Sequence, residues 1–397
     1  MRGRGQTGSL ADLVPRLRDQ GYEQERVTRR RAWVEARTGA TLKHVGSYSI
    51  SSEEMRGNIE NPVGAAQIPI GIAGPIEIHG QYAEGVFYIP LATTEGALVR
   101  SYERGMVALT RSGGVETALV ADENQISPSF SFESIAAAAA FDGWVQQNFD
   151  EIRRQAEATT RHGKLQNLRC HQVGKQVILN FGFDTGDAQG MNMIVKASDQ
   201  ASRWIAKEYP GATYFQFSGM CSEKRPSGYL LSRGKGKSVT AGALLNETIT
   251  RTYLHCSPRQ LYDVWHSTLI GHLAANAVGY NAQYANGLTA MFIALGQDVA
   301  NVVNSACGIT NFELAEGGLY VSLTLPALSV ATVGGGTGLG TQRECLELLG
   351  CYGSGKSRKL AEIVAAGLLG GEISMGAAIA SGEFAAAHEQ YGRNRPD

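Results

Sequence analysis

Long uncharged apolar runs are missing from this 397-residue chain, and nothing in it approaches the roughly 20 residues a helix needs to span a bilayer. The opening stretch MRGRGQTGSL also lacks an apolar signal core, so the expectation is a cytoplasmic protein with no membrane partner. An excess of one charge is absent too. With 36 Lys and Arg against 37 Asp and Glu, the formal charge is -1, and no broad cationic field favours nucleic acid. Cysteine is sparse: Cys170, Cys221, Cys256, Cys307, Cys345 and Cys351 form no CxxC or zinc-knuckle pair, which predicts reduced thiols. His44, His79, His162, His171, His255, His266 and His272 show no HExxH or other ligand spacing, so no metal is expected. Internal repeats and low-complexity tracts are also lacking.

What is present is an ordinary globular composition, 43% hydrophobic, with material for a large core in two or three folding units. Residues 1–45 carry charge-rich helical patterning (LADLVPRLRDQ, then YEQERVTRRRAWVEARTG), which predicts an N-terminal helical arm packed on the body or on a partner. Residues 46–126 open a larger domain, where ENPVGAAQIPIGIAGPIEIHG has the β-branched, Gly/Pro-punctuated texture of strands and turns. After the strand GVFYIPLAT, TEGALVRSYERGMVALTRSG reads as a helix whose Ala97, Leu98, Ser101 and Gly105 share a close-packing face. Residues 127–217 alternate helix (FESIAAAAAFDGWVQQNFDEIRRQAEATT), strand (QVILNFGF), helix (NMIVKASDQASRWIAKEY) and strand (ATYFQF), the pattern of a small inserted α/β sandwich. Residues 218–397 return to the larger domain. There the Ala-rich stretch from His266 to Ser305 predicts buried helices, GLYVSLTLPALSVATVGGGTG strands and a glycine turn, and RKLAEIVAAGLLGGEISMGAAIASGEFAAAHEQYG terminal helices.

With 49 glycines, phosphate-loop patterns arise by chance. GCYGSGKS (350–357) satisfies the pattern in full, Lys356 and Ser357 standing where a P-loop nucleotide hydrolase holds phosphate and magnesium. The preceding TQRECLELLG has helical spacing where that fold needs a buried strand, which favours an inter-helical loop. GGGTGLG (334–340) misses the dinucleotide fingerprint, because Leu339 stands where its last glycine belongs.

In order along the chain stand ENPVG, PIGIAGP, TTEGALVRS, TTRHGKLQ, DAQGMNM, SEKRP, GYNAQYAN, GQD, TLPALSVATVGGGTG and AAAHEQYGR. Together they resemble the 3-hydroxy-3-methylglutaryl-coenzyme A (HMG-CoA) reductase family, in the class using NADPH, over residues 46–393. The resemblance implies an α+β fold, in which a large mixed helical and β domain is interrupted by a small ferredoxin-like α/β domain that holds NADPH. It also implies sites completed across a homodimer or homotetramer interface. The cofactor side would be Arg161, at the 2′-phosphate, with Asp187, Gly190, Met191 and Asn192 of DAQGMNM, and Val333 and Gly334. The substrate side would be Ser101, Arg104, Ser218, Arg225 and Asn286.

The implied catalytic set is Glu95, Lys224, Asp298 and His388. Reducing a thioester to an alcohol takes two hydride transfers, through a hemithioacetal and an aldehyde, and each pushes negative charge onto a carbonyl oxygen. A cation within about 3 Å stabilises that charge, the role of Lys224 in the resemblance. Glu95 would donate a proton, and burial would keep it neutral for that purpose. Asp298 follows the apolar run TAMFIAL and needs partners, which Lys224 and Glu95 are expected to supply. His388 would protonate the departing thiolate. Outside this set the same residues read as a surface lysine, a helix-capping carboxylate, an end-of-helix ion pair and a solvated terminal histidine.

The pattern departs from the family on the substrate side. An arginine from a motif like MTRAP and a lysine from one like KNLIGSA usually grip the far carboxylate of HMG. Here NQISP and STLIGHL put Ile126 and Ser267 at those places, and neither can neutralise a carboxylate. SEKRP carries Glu223 and Arg225 where Asp and a second Lys are usual, and Gln283 replaces a histidine. Open readings are therefore a reductase of HMG-CoA, or the same chemistry on another thioester of coenzyme A or a carrier protein. In either, Arg225, Arg104 or Arg100 could restore the missing charge. A catalytically dead binding protein is a third, against which the intact catalytic set argues.

Overall fold

The computed structural model describes residues 14–15 and 21–384. Most of LADLVPRLRDQ lies outside them, and the second predicted stretch of the arm forms α1 (Gln24–Thr38). Its buried Arg30 donates to the Pro62 carbonyl at 3.0 Å, tying the helix to the chain that enters the body. β1 (Ile70–Gly80) and β2 (Glu84–Ala92) form an antiparallel hairpin that buries Ile76, Ile78, Ile89 and Leu91. α2 (Leu98–Arg111) then crosses to β3 (Val115–Ile126), which runs parallel to β1.

β3 serves two sheets. Its first part pairs within the larger sheet, while Asn124 to Ile126 pair with Phe181 to Phe183 of the smaller one. The smaller unit follows as β4 (Ser129–Ser131), α3 (Ile135–Gln147), α4 (Phe149–Glu157), β5 (Lys164–Val173), β6 (Gln176–Asp184), α5 (Met191–Glu208) and β7 (Thr213–Phe215). Its antiparallel strands stand in the order β7-β4-β6-β5, the ferredoxin-like arrangement of a split βαβ pair. One helix was expected where α3 and α4 stand, and the chain breaks it at Asn148, whose side chain turns back onto the Trp144 carbonyl. A separate core of Phe130, Phe141, Leu179, Phe181, Phe183 and Ile194 holds the unit, each fully buried side chain contributing about 2–3 kcal/mol.

The chain returns through α6 (Gly228–Arg233), β8 (Gly236–Asn246), α7 (Glu247–Tyr253), α8 (Pro258–Ala274), α9 (Tyr284–Ala294), α10 (Val302–Ser305), β9 (Ile309–Ala315), β10 (Gly318–Leu328), α11 (Gly340–Leu348) and α12 (Ser357–Ala380). The larger sheet has the order β2-β1-β3-β8-β10-β9. α12 is buried along most of its length and presses on α2 so closely that a Cβ at Gly105 would meet the Gly370 carbonyl at 1.8 Å. Among the described residues α12 alone is long and apolar enough to cross a membrane, and the fold uses it as a core helix. Its Glu372 is satisfied inside the core by the N–H groups of Ala282 and Gln283 and the Thr310 hydroxyl; burial nevertheless raises its pKa. α9 is buried as expected, but the second half of α8 is not. Ile270 and Leu273 stand 53% and 55% exposed there, where the sequence predicts a buried helix.

Candidate active site

Loop 216–227, between β7 and α6, carries SEKRP. Lys224 adopts φ of 63°, a left-handed conformation that costs a non-glycine residue about 1 kcal/mol or more unless its surroundings impose it. Its surroundings do so: the Lys224 N–H donates to Asn304 Oδ1 at 3.1 Å, and its ammonium meets Asp298 Oδ2 at 2.7 Å. Asp298 is fixed in turn, because its Oδ1 accepts from the Ala300 N–H at 3.1 Å and caps a 3₁₀ turn after α9. The hydrogen bond that its ammonium donates to Asp298 lifts the Lys224 pKa above its ordinary value. Both side chains are near half exposed, so the pair adds little to stability. What it provides is an oriented, persistently charged ammonium.

Glu95 makes no hydrogen bond to that pair among the described residues. It precedes α2, its N–H bonded to Thr93 Oγ1 at 3.0 Å, and its side chain is exposed in the chain. Burial was expected for this side chain and is not found; among the described residues Asp298 pairs with Lys224, and no hydrogen bond joins it to Glu95. Glu95 instead lines a cavity of about 730 Å³ with Ser101, Arg104, Gln283 and Asn286. Three residues that the sequence reading missed share the wall. His255 Nδ1 meets Glu383 Oε1 at 2.8 Å, Glu383 Oε2 meets Arg104 Nη1 at 3.2 Å, and Arg104 Nε donates to Ser374 Oγ at 3.1 Å. No local pattern marks them, because four separate elements bring them together.

The residues assigned to the cofactor side gather around one turn. Gly190 caps α5 at φ of 75°, and a Cβ there would meet Thr185 at 2.7 Å. Met191 and Asn192 open the helix, which has no side-chain cap. The Asp187 carbonyl accepts from Thr332 at 2.9 Å and from Val333 at 3.3 Å, so Val333 and Gly334 lie beside the turn. Arg161 is exposed in the turn before β5, whose Gly163 approaches the Met193 side chain. The Asp187 carboxylate, expected at a cofactor, has another occupation: Gly355, Lys356 and Ser357 donate their N–H groups to it at 2.7, 3.1 and 3.0 Å. Burial opposes its ionisation, but these donors outweigh that and hold its pKa below the ordinary value.

The sequence matches the family model for hydroxymethylglutaryl-coenzyme A reductase over residues 26–393. It is 44% identical over 372 residues to the 3-hydroxy-3-methylglutaryl-coenzyme A reductase of Methanocaldococcus jannaschii, covering 92% of each chain. The chain belongs to the HMG-CoA reductase family. The protein of that name from Pyrococcus horikoshii is 43% identical, over 92% of this chain and 91% of its own. Among solved structures, the class II HMG-CoA reductase of Streptococcus pneumoniae bound to NADPH aligns with a TM-score of 0.66. That match covers 91% of this chain and 99% of the other at 17% identity, which shows a shared fold.

Within this HMG-CoA reductase family member, GCYGSGKS is no phosphate loop. The element before it is helix α11, and the N–H groups that would hold phosphate hold Asp187. On the substrate side, Ile126 points into the core of the smaller unit, where an arginine would be buried without a partner, and Ser267 is exposed on α8. Ser218 anchors the Lys224 loop, its N–H and hydroxyl both bonded to the Ser127 carbonyl at 2.9 and 2.8 Å. Arg225 is exposed beside Lys224. His388 lies outside the described residues.

Proposed function

We propose that this protein reduces HMG-CoA to mevalonate, with NADPH supplying both hydrides. The observation that carries the reading is the 2.7 Å contact between Lys224 and Asp298 at the family's motif positions. The glycine cradle at Gly190 and the uncapped start of α5 fit a nucleotide lying against the smaller unit, which spans 127–217. Arg161, Met191, Asn192, Val333 and Gly334 would hold it.

The Lys224 ammonium stabilises the negative charge that develops on the thioester oxygen and later on the aldehyde oxygen. Asp298 keeps that ammonium charged and aimed. Glu95, facing the cavity, passes a proton to the new oxygen, and His388 protonates the leaving thiolate so that the hemithioacetal collapses. Arg104 and Asn286 line the place for the coenzyme arm. With Ile126 and Ser267 uncharged, Arg225 grips the far carboxylate of the acyl group. A second copy completes the site, its contact surface including the apolar face of α8 around Ile270 and Leu273.

The test is a purified-protein assay following NADPH absorbance with HMG-CoA, with the product identified by mass. Mevalonate formed with two NADPH consumed per thioester is the expected result. Reduction of acetyl-CoA or another uncharged acyl-CoA at a higher kcat/KM than HMG-CoA would overturn the substrate, and no reduction of any thioester would overturn the activity.

A further inference from the structure

Two lysines lie buried two residues apart in RGKGKS, and they are satisfied differently. Lys237, 3% exposed, has a carboxylate partner in Asp122 at 3.1 Å. Lys235, 2% exposed, has none among the described residues. Its Nζ donates to the Gln125 carbonyl at 2.8 Å and to the Cys221 carbonyl at 3.0 Å, and lies 3.9 Å from Met191 Sδ. Its backbone is fixed by flanking glycines at φ of 74° and 77°, where a Cβ would strike the Pro326 and Leu328 carbonyls at 2.5 and 2.8 Å. Burial lowers its pKa, against which the nearby Cys221 and Glu223 work. An ammonium held this way is costly, and a methionine would fill the same space without that cost.

The three segments it touches explain its presence. Gln125 lies on β3 next to Ile126, Met191 is the first residue of α5 in the DAQGMNM signature, and Cys221 lies three residues before Lys224. The loop has other anchors at Ser218, at Glu223, which accepts from Gln189 at 3.0 Å, and at the Lys224 N–H. Without Lys235, the hydrogen bonds that tie the stretch between Ser218 and Glu223 to the rest of the described residues would reduce to the contact of the Cys221 thiol with Ser127 Oγ at 2.9 Å. From this juxtaposition we infer that Lys235 is a positioning residue, whose ammonium pins the Lys224 loop against β3 and the start of α5 so that Lys224 is presented to the reacting oxygen.

The inference rests on the reductase reading, so its test has one arm that needs no turnover. Hydrogen exchange is compared between wild type and K235M. Faster exchange of amides 218–225, with the β6 and α12 amides unchanged, is expected; unchanged protection of the loop overturns the anchor whatever the protein catalyses. In the second arm kcat should fall about 100-fold in K235M, the scale of a misplaced reacting group, while NADPH affinity stays within about twofold of wild type. K235R, which can still donate to both carbonyls, should recover most of that loss. In a K224A background, K235M should cost nothing further. Wild-type kcat in K235M, or a full additional loss in the double variant, overturns action through Lys224. Should K235M fail to fold, K235Q carries both arms.

Discussion

Two loops of this protein each present a lysine in a sequence that invites a functional reading, and they differ in what fills the space around it. GCYGSGKS matches a phosphate loop in full, yet its backbone donors are spent on Asp187, and Lys356 extends into solvent from the start of α12. SEKRP departs from its family pattern at two positions, yet it holds Lys224 in a left-handed conformation against Asp298. Completeness of a motif is thus a poorer guide than whether its donors already have internal partners. A backbone N–H has one proton and can bind a ligand only by giving up its internal partner, whereas the Lys224 ammonium carries three and keeps two beyond its bond to Asp298.

The comparison is sharpened most by removing the ammonium of the second loop. K224A should lower kcat about 10²–10³-fold, the usual cost of losing one group that stabilises a developing oxyanion, with the protein still folded. A variant retaining wild-type kcat would make Lys224 as idle as Lys356. D298N should have a smaller effect and a distinctive pH signature. The hydrogen bond to Asp298 raises the Lys224 pKa above its ordinary value, so the ammonium persists to high pH in the wild type. Asn removes that lift, and the alkaline limb of the kcat profile should move to lower pH, measured by steady-state rates across the alkaline range. An unmoved limb would assign it to another group.

Asp187 is the point at which the first loop can be opened. D187N keeps the shape, removes the charge and puts a non-accepting NH2 in place of one carboxylate oxygen, and should cost about 1–2 kcal/mol at neutral pH. The folded pKa of Asp187 is depressed, so its contribution is complete above the unfolded value and is lost as pH falls through the folded one. Urea midpoints of D187N and wild type should therefore differ at neutral pH and converge in acid. A constant gap at all pH would trace the effect to geometry instead.

Much of this was legible in the sequence, and the failures share a cause. Strands β1 and β2, helix α2 and the alternating helices and strands between residues 127 and 217 follow from periodicity, and α2 packs through Leu98 and Gly105 as its spacing predicts. β3, β5 and β8 carried no readable signal. VETALVADENQI and KLQNLRCHQV mix polar and apolar residues because their strands face two different environments, and GKSVTAGALLN is rich in small residues because α12 packs across it. At the site, motif positions located Lys224 and Asp298, but the exposure of Glu95 depends on long-range packing. Asp187 was read as a ligand contact because its partners lie about 170 residues away. Lys235 had a local mark, a lysine between two glycines, whose meaning needed the carbonyls of Gln125 and Cys221.

The smallest expected effect is also the cleanest discriminator between the two loops. K356A removes the one side chain of GCYGSGKS that a nucleotide hydrolase could not lose, and leaves untouched the backbone donors that Asp187 occupies. Because no hydrogen bond or ion pair of the Lys356 side chain is seen among the described residues, kcat for thioester reduction and the urea midpoint should both stay within error of wild type, a surface substitution costing at most about 0.5 kcal/mol. Titration calorimetry with ATP and magnesium should give no heat of binding for either protein. Measurable ATP affinity in the wild type that K356A abolishes would mean that Asp187 yields its place to phosphate. The two loops would then differ in which partner is bound at the moment, and no longer in kind.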